Sequence, residues 1–167
     1  MLMSNIWLLV SNIDITDTSI VSNVTTIQME QRVIPTLNQI QSVTLNFGSN
    51  NPIVPGTISS SSFISNSLGF SVIPGDVHSF NDDGNGNIQI VKTNGSTFTV
   101  VKTNAGTVNY STGIISITEL DPVSIINNVN YIQIFCKPVS PDITPSLNYI
   151  VTLDPNAVNI NMVTVSS

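Results

Sequence analysis

The chain is short of charge, of sulfur and of histidine. Only 8% of its 167 residues are charged, and the four basic and ten acidic side chains give a net charge of −6. It contains one cysteine, one histidine and one tryptophan. A single cysteine excludes both an intrachain disulfide and a cysteine-based zinc site.

Basic residues are both few and scattered along the sequence: Arg32, Lys92, Lys102 and Lys137. Binding to nucleic acid needs several Lys or Arg side chains against phosphates, so we expect no nucleic-acid partner. Low charge also gives weak repulsion between copies, and strand-rich chains without edge lysines tend to pair their exposed edges. We therefore expect a subunit that is packed against neighbours.

Long apolar runs are missing as well. The run Ile6–Val10 is too short to span a membrane or to form the apolar part of a signal peptide, and no basic residue precedes it. We expect neither secretion by that route nor a membrane partner. Three Asn-X-Ser/Thr triplets, starting at Asn23, Asn94 and Asn109, are expected by chance in a chain so rich in these residues.

What the chain has in abundance is isoleucine, valine and small polar residues. Hydrophobic residues make up 41% of it, and branching at Cβ stiffens χ1 and favours strands. A chain near this length buries about two-thirds of its unfolded surface, which is enough for a core. We expect one mainly β domain over residues 1–167. An alternative division has an N-terminal part (1–75) and a meander part (76–155), with a tail at 156–167.

The region Asn81–Ile117 has the clearest pattern. A turn cluster at 82–86 precedes apolar residues that alternate with polar ones, which is typical of strands with one buried face. The alternating apolar residues are Ile88, Ile90, Phe98, Val100, Val108 and Tyr110. Glycines after Asn94, Ala105 and Thr112 suit tight hairpin turns. The pattern predicts a β-meander with Gly106 and Gly113 in turns at positive φ.

Further strands are predicted at residues 5–10, 42–47, 57–64, 69–73, 113–118, 130–136 and 149–153. One short helix is predicted near residues 18–34, because Ile20, Val24 and Ile27 are three or four positions apart and Pro35 ends the pattern. We interpret it as an amphipathic helix lying on a sheet, with a partner-binding helix as the alternative. The predicted fold is an antiparallel meander or sandwich with this one helix.

His78 is the one candidate for acid–base catalysis. A triad would combine it with Asp76 or Asp82 and a serine, but no G-x-S-x-G motif is present. We therefore predict an exposed loop histidine. The two glutamates, Glu30 and Glu119, lie on different predicted elements and form no pair for glycoside cleavage. We predict no catalytic residue and no enzyme activity.

The acidic turn at 82–87 invites a calcium interpretation. Its residues lack the D-x-[DN]-x-[DN]-G spacing and the closing glutamate of a calcium loop. Asp and Asn also favour turns by bonding their own backbone. We predict a turn at Asp82 and Asp83 that binds no metal, and no cofactor. Cys136 falls in an alternating run, so we predict that it packs in the core.

Several segments occur in a specific order along the chain. They are VIPT (33–36), VTLNF (43–47), PGTISSS (55–61), DDGNGN (82–87), NAGTVNYSTGIISI (104–117), IQI (132–134) and DITPSLN (142–148). Over roughly residues 30–150 this ordered set resembles the C-terminal region of a baseplate wedge protein of T4-like contractile-tailed phages, the large subunit that forms the inner ring. The family protein is several times longer and has a basic residue where Leu147 stands.

The resemblance implies a structural subunit of a phage tail baseplate, acting by protein–protein contacts in virion assembly and sheath triggering. It implies a second copy, as a dimer within a ring, and other baseplate wedge proteins as partners, and a virion location after assembly in the host cytoplasm. The alternative from another class is a carbohydrate-binding or adhesin-like β-sandwich. That module would need exposed aromatic residues for sugar stacking, whereas Trp7, Tyr110, Tyr131 and Tyr149 mostly fall at strand positions.

Overall fold

The computed structural model describes residues 28–47, 51–65, 76–94 and 97–140. Ten strands in these ranges form one sheet in which every pairing is antiparallel. In chain order the strands are β1 (Met29–Val33), β2 (Gln41–Asn46), β3 (Ser59–Ser60), β4 (Phe63–Ser65), β5 (Val77–Asp82), β6 (Asn87–Asn94), β7 (Thr97–Asn109), β8 (Ile114–Leu120), β9 (Pro122–Ile125) and β10 (Ile132–Cys136). One 3-10 turn, Ile126–Asn128, is the helical element of the described ranges. The prediction of a mainly β, antiparallel fold is confirmed.

The sheet is nearly closed. Its strands follow the order β1-β10-β3-β5-β6-β7-β8-β2, with β4 pairing β5 and β9. The strands at the two ends of this order lie close to each other. Nε2 of Gln31 on β1 donates a hydrogen bond of 2.6 Å to the carbonyl oxygen of Asn46 on β2. A side chain thus bridges two edges that share no backbone pairing among the described residues. We call this contact the seam.

The core is one cluster of buried apolar side chains contributed by most of the strands. Successive residues of a strand point to opposite faces, so β10 buries Ile132, Ile134 and Cys136 and leaves the residues between them half-buried. The rings of Phe63 and Phe80 pack with their centroids 4.9 Å apart. Cys136 is fully buried, which confirms its predicted place in the core.

Strand β7 is the longest, at thirteen residues, and it changes partners along its length. Residues Gly106–Asn109 pair with β8, whereas residues 97–102 pair with β6 alone among the described strands. The register with β6 shifts twice, between Ile88 and Ile90 and between Ile90 and Val91, and both shifts place extra residues on β7. Such bulges bend a strand. We call residues 90–94 of β6 and 97–102 of β7 the distal arm.

The two glycines predicted in turns have different roles. Gly113 has φ of 69° in the turn before β8, as predicted. The prediction for Gly106 is wrong, since it lies inside β7 and its φ is not positive. A Cβ there would overlap the carbonyl oxygen of Ser116 and lie 3.0 Å from Cα of Ile117. Gly106 is therefore required by the close approach of β8 and not by a turn.

The prediction of a helix near residues 18–34 is wrong for its C-terminal part. Residues 18–27 lie outside the described ranges, and Met29–Val33 is strand β1, paired with β10. Met29 and Val33 are buried while Glu30 and Arg32 are exposed, so the burial of β1 repeats every second residue. Pairing with β10 stabilises this extended form over any helical preference.

The remaining strand predictions have mixed outcomes. Strands β2, β8 and β10 confirm the predictions at 42–47, 113–118 and 130–136. The predicted strand 57–64 is instead two short strands, β3 and β4, and β5 and β9 were not predicted. Residues 5–10, 69–73, 149–153 and the tail 156–167 lie outside the described ranges. The domain boundaries stay a prediction.

Candidate functional site

A buried carboxylate lies at the end of β5. Asp82 Oδ2 accepts hydrogen bonds of 2.6 Å from the backbone N–H of Gly56 and from the hydroxyl of Tyr110, and Oδ1 accepts one of 2.8 Å from the N–H of Ile58. These donors come from the segment before β3 and from the turn after β7. Asp82 therefore braces three parts of the chain, and both of its oxygens are engaged.

Tyr110 completes this brace. Burial, reinforced by the hydrogen bond to Asp82 and by its negative charge, raises the pKa of Tyr110 to about 12. Its hydroxyl also accepts a long hydrogen bond of 3.4 Å from the N–H of Gly86. A phenol with so high a pKa stays protonated at neutral pH and acts as a donor. The pair of Asp82 and Tyr110 is arranged for structural support.

Asp83 organises the turn between β5 and β6. Its Oδ1 accepts from the N–H groups of Asn85 and Asn87, and its Oδ2 accepts from the side-chain amide of Asn87 at 2.7 Å. The side-chain hydrogen bond from Asn87, followed by these backbone bonds, lowers the pKa of Asp83. The predicted turn is thus formed by backbone bonding, as the sequence indicated. Within the described ranges, no group of three or more His, Cys, Asp or Glu side chains is arranged to hold a metal ion.

His78 does not lie in an exposed loop, and that prediction is wrong. It is on β5 with no solvent exposure, and its ring centroid lies 6.4 Å from that of Phe63. Burial lowers the pKa of His78, and Lys92 lowers it further, while Asp76 opposes the shift. Alternation along β5 explains the error, since His78, Phe80 and Asp82 all point inward.

The carboxylates that a His78 triad would recruit are committed elsewhere. Asp76 forms an ion pair with Nζ of Lys92 at 2.6 Å, and Asp82 belongs to the brace described above. The hydroxyl of Ser65, a buried serine on the neighbouring β4, donates to the carbonyl oxygen of Asp121 at 2.8 Å. Each of these acidic and serine side chains thus has a structural partner other than His78, whereas a triad needs the acid, the histidine and the serine hydrogen-bonded in sequence.

The side chains of Cys136 and Glu30 also have structural roles. Burial raises the pKa of the Cys136 thiol to about 12, which keeps it protonated and unreactive. Oε1 of Glu30 accepts from Nε of Arg32 at 2.7 Å and from Nε2 of Gln133 at 2.9 Å. The negative charge of Asp82 adds to the effect of burial on the Cys136 thiol, and Glu30 is held in an ion pair with Arg32.

Apolar side chains face solvent in two main places. Between β1 and β2, Ile34, Leu37 and Ile40 are exposed. On the distal arm, Phe98 and Val100 are 68% and 45% exposed. Their alternation with polar residues predicted a buried face, and that prediction is wrong for these two. The reason is the difference in strand length, since β7 has thirteen residues while β8 has seven and leaves the start of β7 uncovered.

Phe98 is the one aromatic side chain among the exposed large apolar residues of the described ranges. The ring of Tyr131 is half-buried, and the guanidinium of Arg32 lies over it, 4.6 Å from the ring centroid. Tyr110 is half-buried in the brace. A flat platform of several exposed rings, on which a sugar chain could stack, is not formed by the described residues.

Comparison with models of protein families, with curated proteins and with solved structures finds no match to this chain. The resemblance to a baseplate wedge protein therefore stays a hypothesis. In the described part of the chain, no helix has the length and apolar character needed to cross a membrane.

Proposed function

We propose that this protein is a structural subunit that acts by contact with other proteins. The observation that carries the proposal is which side chains are buried and which are exposed. Side chains capable of acid–base or nucleophilic chemistry are hydrogen-bonded or buried inside the fold, namely Asp82, Tyr110, His78 and Cys136. Apolar side chains such as Phe98 instead face solvent. Exposed apolar groups are typical of protein–protein interfaces.

The setting we propose is the baseplate of a contractile phage tail, in the wedge or inner ring. The ordered set of segments over residues 30–150 supports this setting. In that role the subunit would pair with a copy of itself and contact other wedge proteins during virion assembly and sheath triggering. The proposal includes no nucleic-acid partner, no membrane and no catalysis. The scattered basic residues support the first of these exclusions.

Purified tail particles test this setting. Contractile tails isolated from the source phage should contain the chain in fixed ratio to other baseplate proteins, as measured by quantitative mass spectrometry. Antibodies raised against the chain should label the baseplate end of the tail in electron micrographs. Absence of the chain from intact, purified tails would contradict the baseplate setting.

The alternative of a carbohydrate-binding module is favoured by one observation, the exposed ring of Phe98 on a strand. A ring of this kind can stack on the apolar face of a sugar. A glycan array probed with the parent protein and with Phe98→Ala separates the two functions. Saturable binding that is lost in Phe98→Ala would favour the carbohydrate module, and no binding by the parent would favour the contact role.

A further inference from the structure

One edge of the distal arm has no partner among the described strands. Residues 97–102 of β7 pair with β6 on one side, and no described strand pairs with them on the other. Thr97, Phe98, Thr99 and Val100 are all exposed. In an antiparallel edge strand, alternate residues direct their N–H and C=O groups outward. This edge can therefore accept a further strand.

The edge lacks two of the features that usually prevent such pairing, charged residues and proline. Proteins protect exposed edges with these residues, with bulges or with very short strands. The run from Thr97 to Val101 contains no charged residue and no proline, and the nearest charge on the strand is Lys102. Residues 97–100 precede the bulge at Val101, so these four residues are regular in register with β6.

We infer that this edge pairs antiparallel with the same edge of a second copy, around a two-fold axis at Thr99. Residues directly opposite each other in an antiparallel pair point to the same face. A two-fold axis at Thr99 therefore sets Thr99 against its own counterpart and Phe98 against Val100 of the second copy, twice. Thr–Thr and aromatic–β-branched pairs are among the favourable cross-strand pairs.

The faces of the arm agree with this register. Phe98 pairs with Thr93 and Val100 with Val91 on β6, so these four side chains share one face. Val91 is buried, at 2% exposure, yet it lies outside the main core cluster. Pairing of two arms would continue this face across the axis and place Val100 of the second copy against one side of the Phe98 ring.

Charge is compatible with a second copy. With the axis at Thr99, Lys102 of one chain lies about six residues from Lys102 of the other, or about 20 Å at roughly 3.3 Å per residue. Salt screens exposed charges over about 8 Å at physiological ionic strength. The two Lys102 charges therefore repel weakly, and Lys92, which pairs with Thr99 at the axis, is neutralised by its ion pair with Asp76. The pairing is isologous and closes on itself, which gives a discrete dimer.

This inference deepens the proposed function and rests on it, since it names the surface through which the subunit would pair with its own copy. Light scattering with size-exclusion chromatography should give a dimer for the parent protein at micromolar concentration. Phe98→Ser should raise the dimer dissociation constant at least about tenfold, because two aromatic contacts are lost for each dimer. Ile34→Ser is the matched control, since Ile34 is 71% exposed and Phe98 68%. It should leave the dissociation constant unchanged.

A cysteine pair tests the register. Residues directly opposite across two strands have Cβ atoms about 4.5–5.5 Å apart, close to disulfide distance. Thr99→Cys should form a disulfide-linked dimer under mild oxidation with copper–phenanthroline, seen on a non-reducing gel. The matched control is Thr107→Cys, the same exposed residue type in the part of β7 that pairs with β8. The native Cys136 is buried and does not compete.

Three outcomes would overturn the pairing at β7: a monomeric parent protein, equal effects of Phe98→Ser and Ile34→Ser, or equal cross-linking of Thr99→Cys and Thr107→Cys. A monomer would leave the edge to a strand from another protein. These results are separate from the test on tail particles. A chain that is present in purified tails but does not pair through β7 keeps its structural role and loses this interface.

Discussion

The two halves of β7 differ in what surrounds them, although both pair with β6. Near its end, Ala105, Gly106 and Val108 are buried where β8 lies alongside. Near its start, Thr97–Val100 are all exposed because β8 does not follow. The strand thus changes from a part of the core to an open edge over a few residues. Burial in this sheet is set by which neighbour is present and not by the composition of the strand itself.

The largest expected effect lies in the buried half. Gly106→Ala should lower the free energy of unfolding by about 3 kcal/mol, because the new Cβ would overlap the carbonyl oxygen of Ser116 on a paired strand. Thr103→Ala, at an exposed position between the two halves, should change it by no more than about 0.5 kcal/mol. Denaturant unfolding of both variants measures the contrast. Equal stabilities would mean that β8 does not approach Gly106 so closely.

Tyr110 follows the buried half directly and anchors it to Asp82. Tyr110→Phe should lower the free energy of unfolding by about 2 kcal/mol, because it removes a donor from a buried carboxylate. Tyr131→Phe is the control, since its ring is contacted by Arg32 and the change should cost about 0.5 kcal/mol or less. Chemical denaturation at pH 7 compares them. Similar losses in the two variants would contradict the brace.

His78, which pairs with Lys92 of the distal arm, should make the stability of the fold depend on pH. Burial lowers the pKa of His78 below 6.5 in the folded protein, so the unfolded chain takes up the proton more readily. Stability is therefore fully present above about pH 6.5 and falls as the pH drops below it, by at most about 1.4 kcal/mol per pH unit.

The chain has one histidine, so this window isolates His78. Denaturation midpoints measured from pH 7.5 to 5.5 should decline in the parent and stay level in His78→Leu. A decline of the same slope in both proteins would assign the pH dependence to other groups.

The smallest effect is expected at the turn that joins the buried half to β8. Gly113 has φ of 69°, a conformation that costs other residues about 1 kcal/mol. Gly113→Ala should lower the free energy of unfolding by about that amount, and Ser111→Ala, at an exposed position of the same turn, should leave it nearly unchanged. Thermal melts resolve the difference. An unchanged melt of Gly113→Ala would mean that the turn relaxes at no cost.

Alternation of apolar and polar residues predicted the strands that bury one apolar face. It succeeded for β2, β8 and β10 because their inward residues are apolar. It failed for β5, whose inward residues include His78 and Asp82. Polar residues can face a core when hydrogen bonds satisfy them, and the partners of Asp82 come from Gly56, Ile58 and Tyr110, which are distant in sequence.

Distance in sequence also explains what was missed about the candidate surface. The alternation of Phe98 and Val100 indicates a strand face but not whether another layer or strand covers it. That depends on where β8 ends and on the bulges of β7. Gly106 is a similar case, because a glycine chosen for close approach and a glycine chosen for a turn are identical in the sequence.

The seam between Gln31 and Asn46 makes the resistance of the sheet to force depend on the direction of the force. Everywhere else along the strand order, neighbours are joined by backbone pairs, whereas here the described contact is one side-chain hydrogen bond. Among the described residues, the sheet is therefore a ring that backbone pairing leaves open between β1 and β2. A force that separates β1 from β2 acts on this side-chain hydrogen bond and on the apolar packing of Met29, Val33 and Leu45, whereas a force along the strands must shear several backbone hydrogen bonds at once.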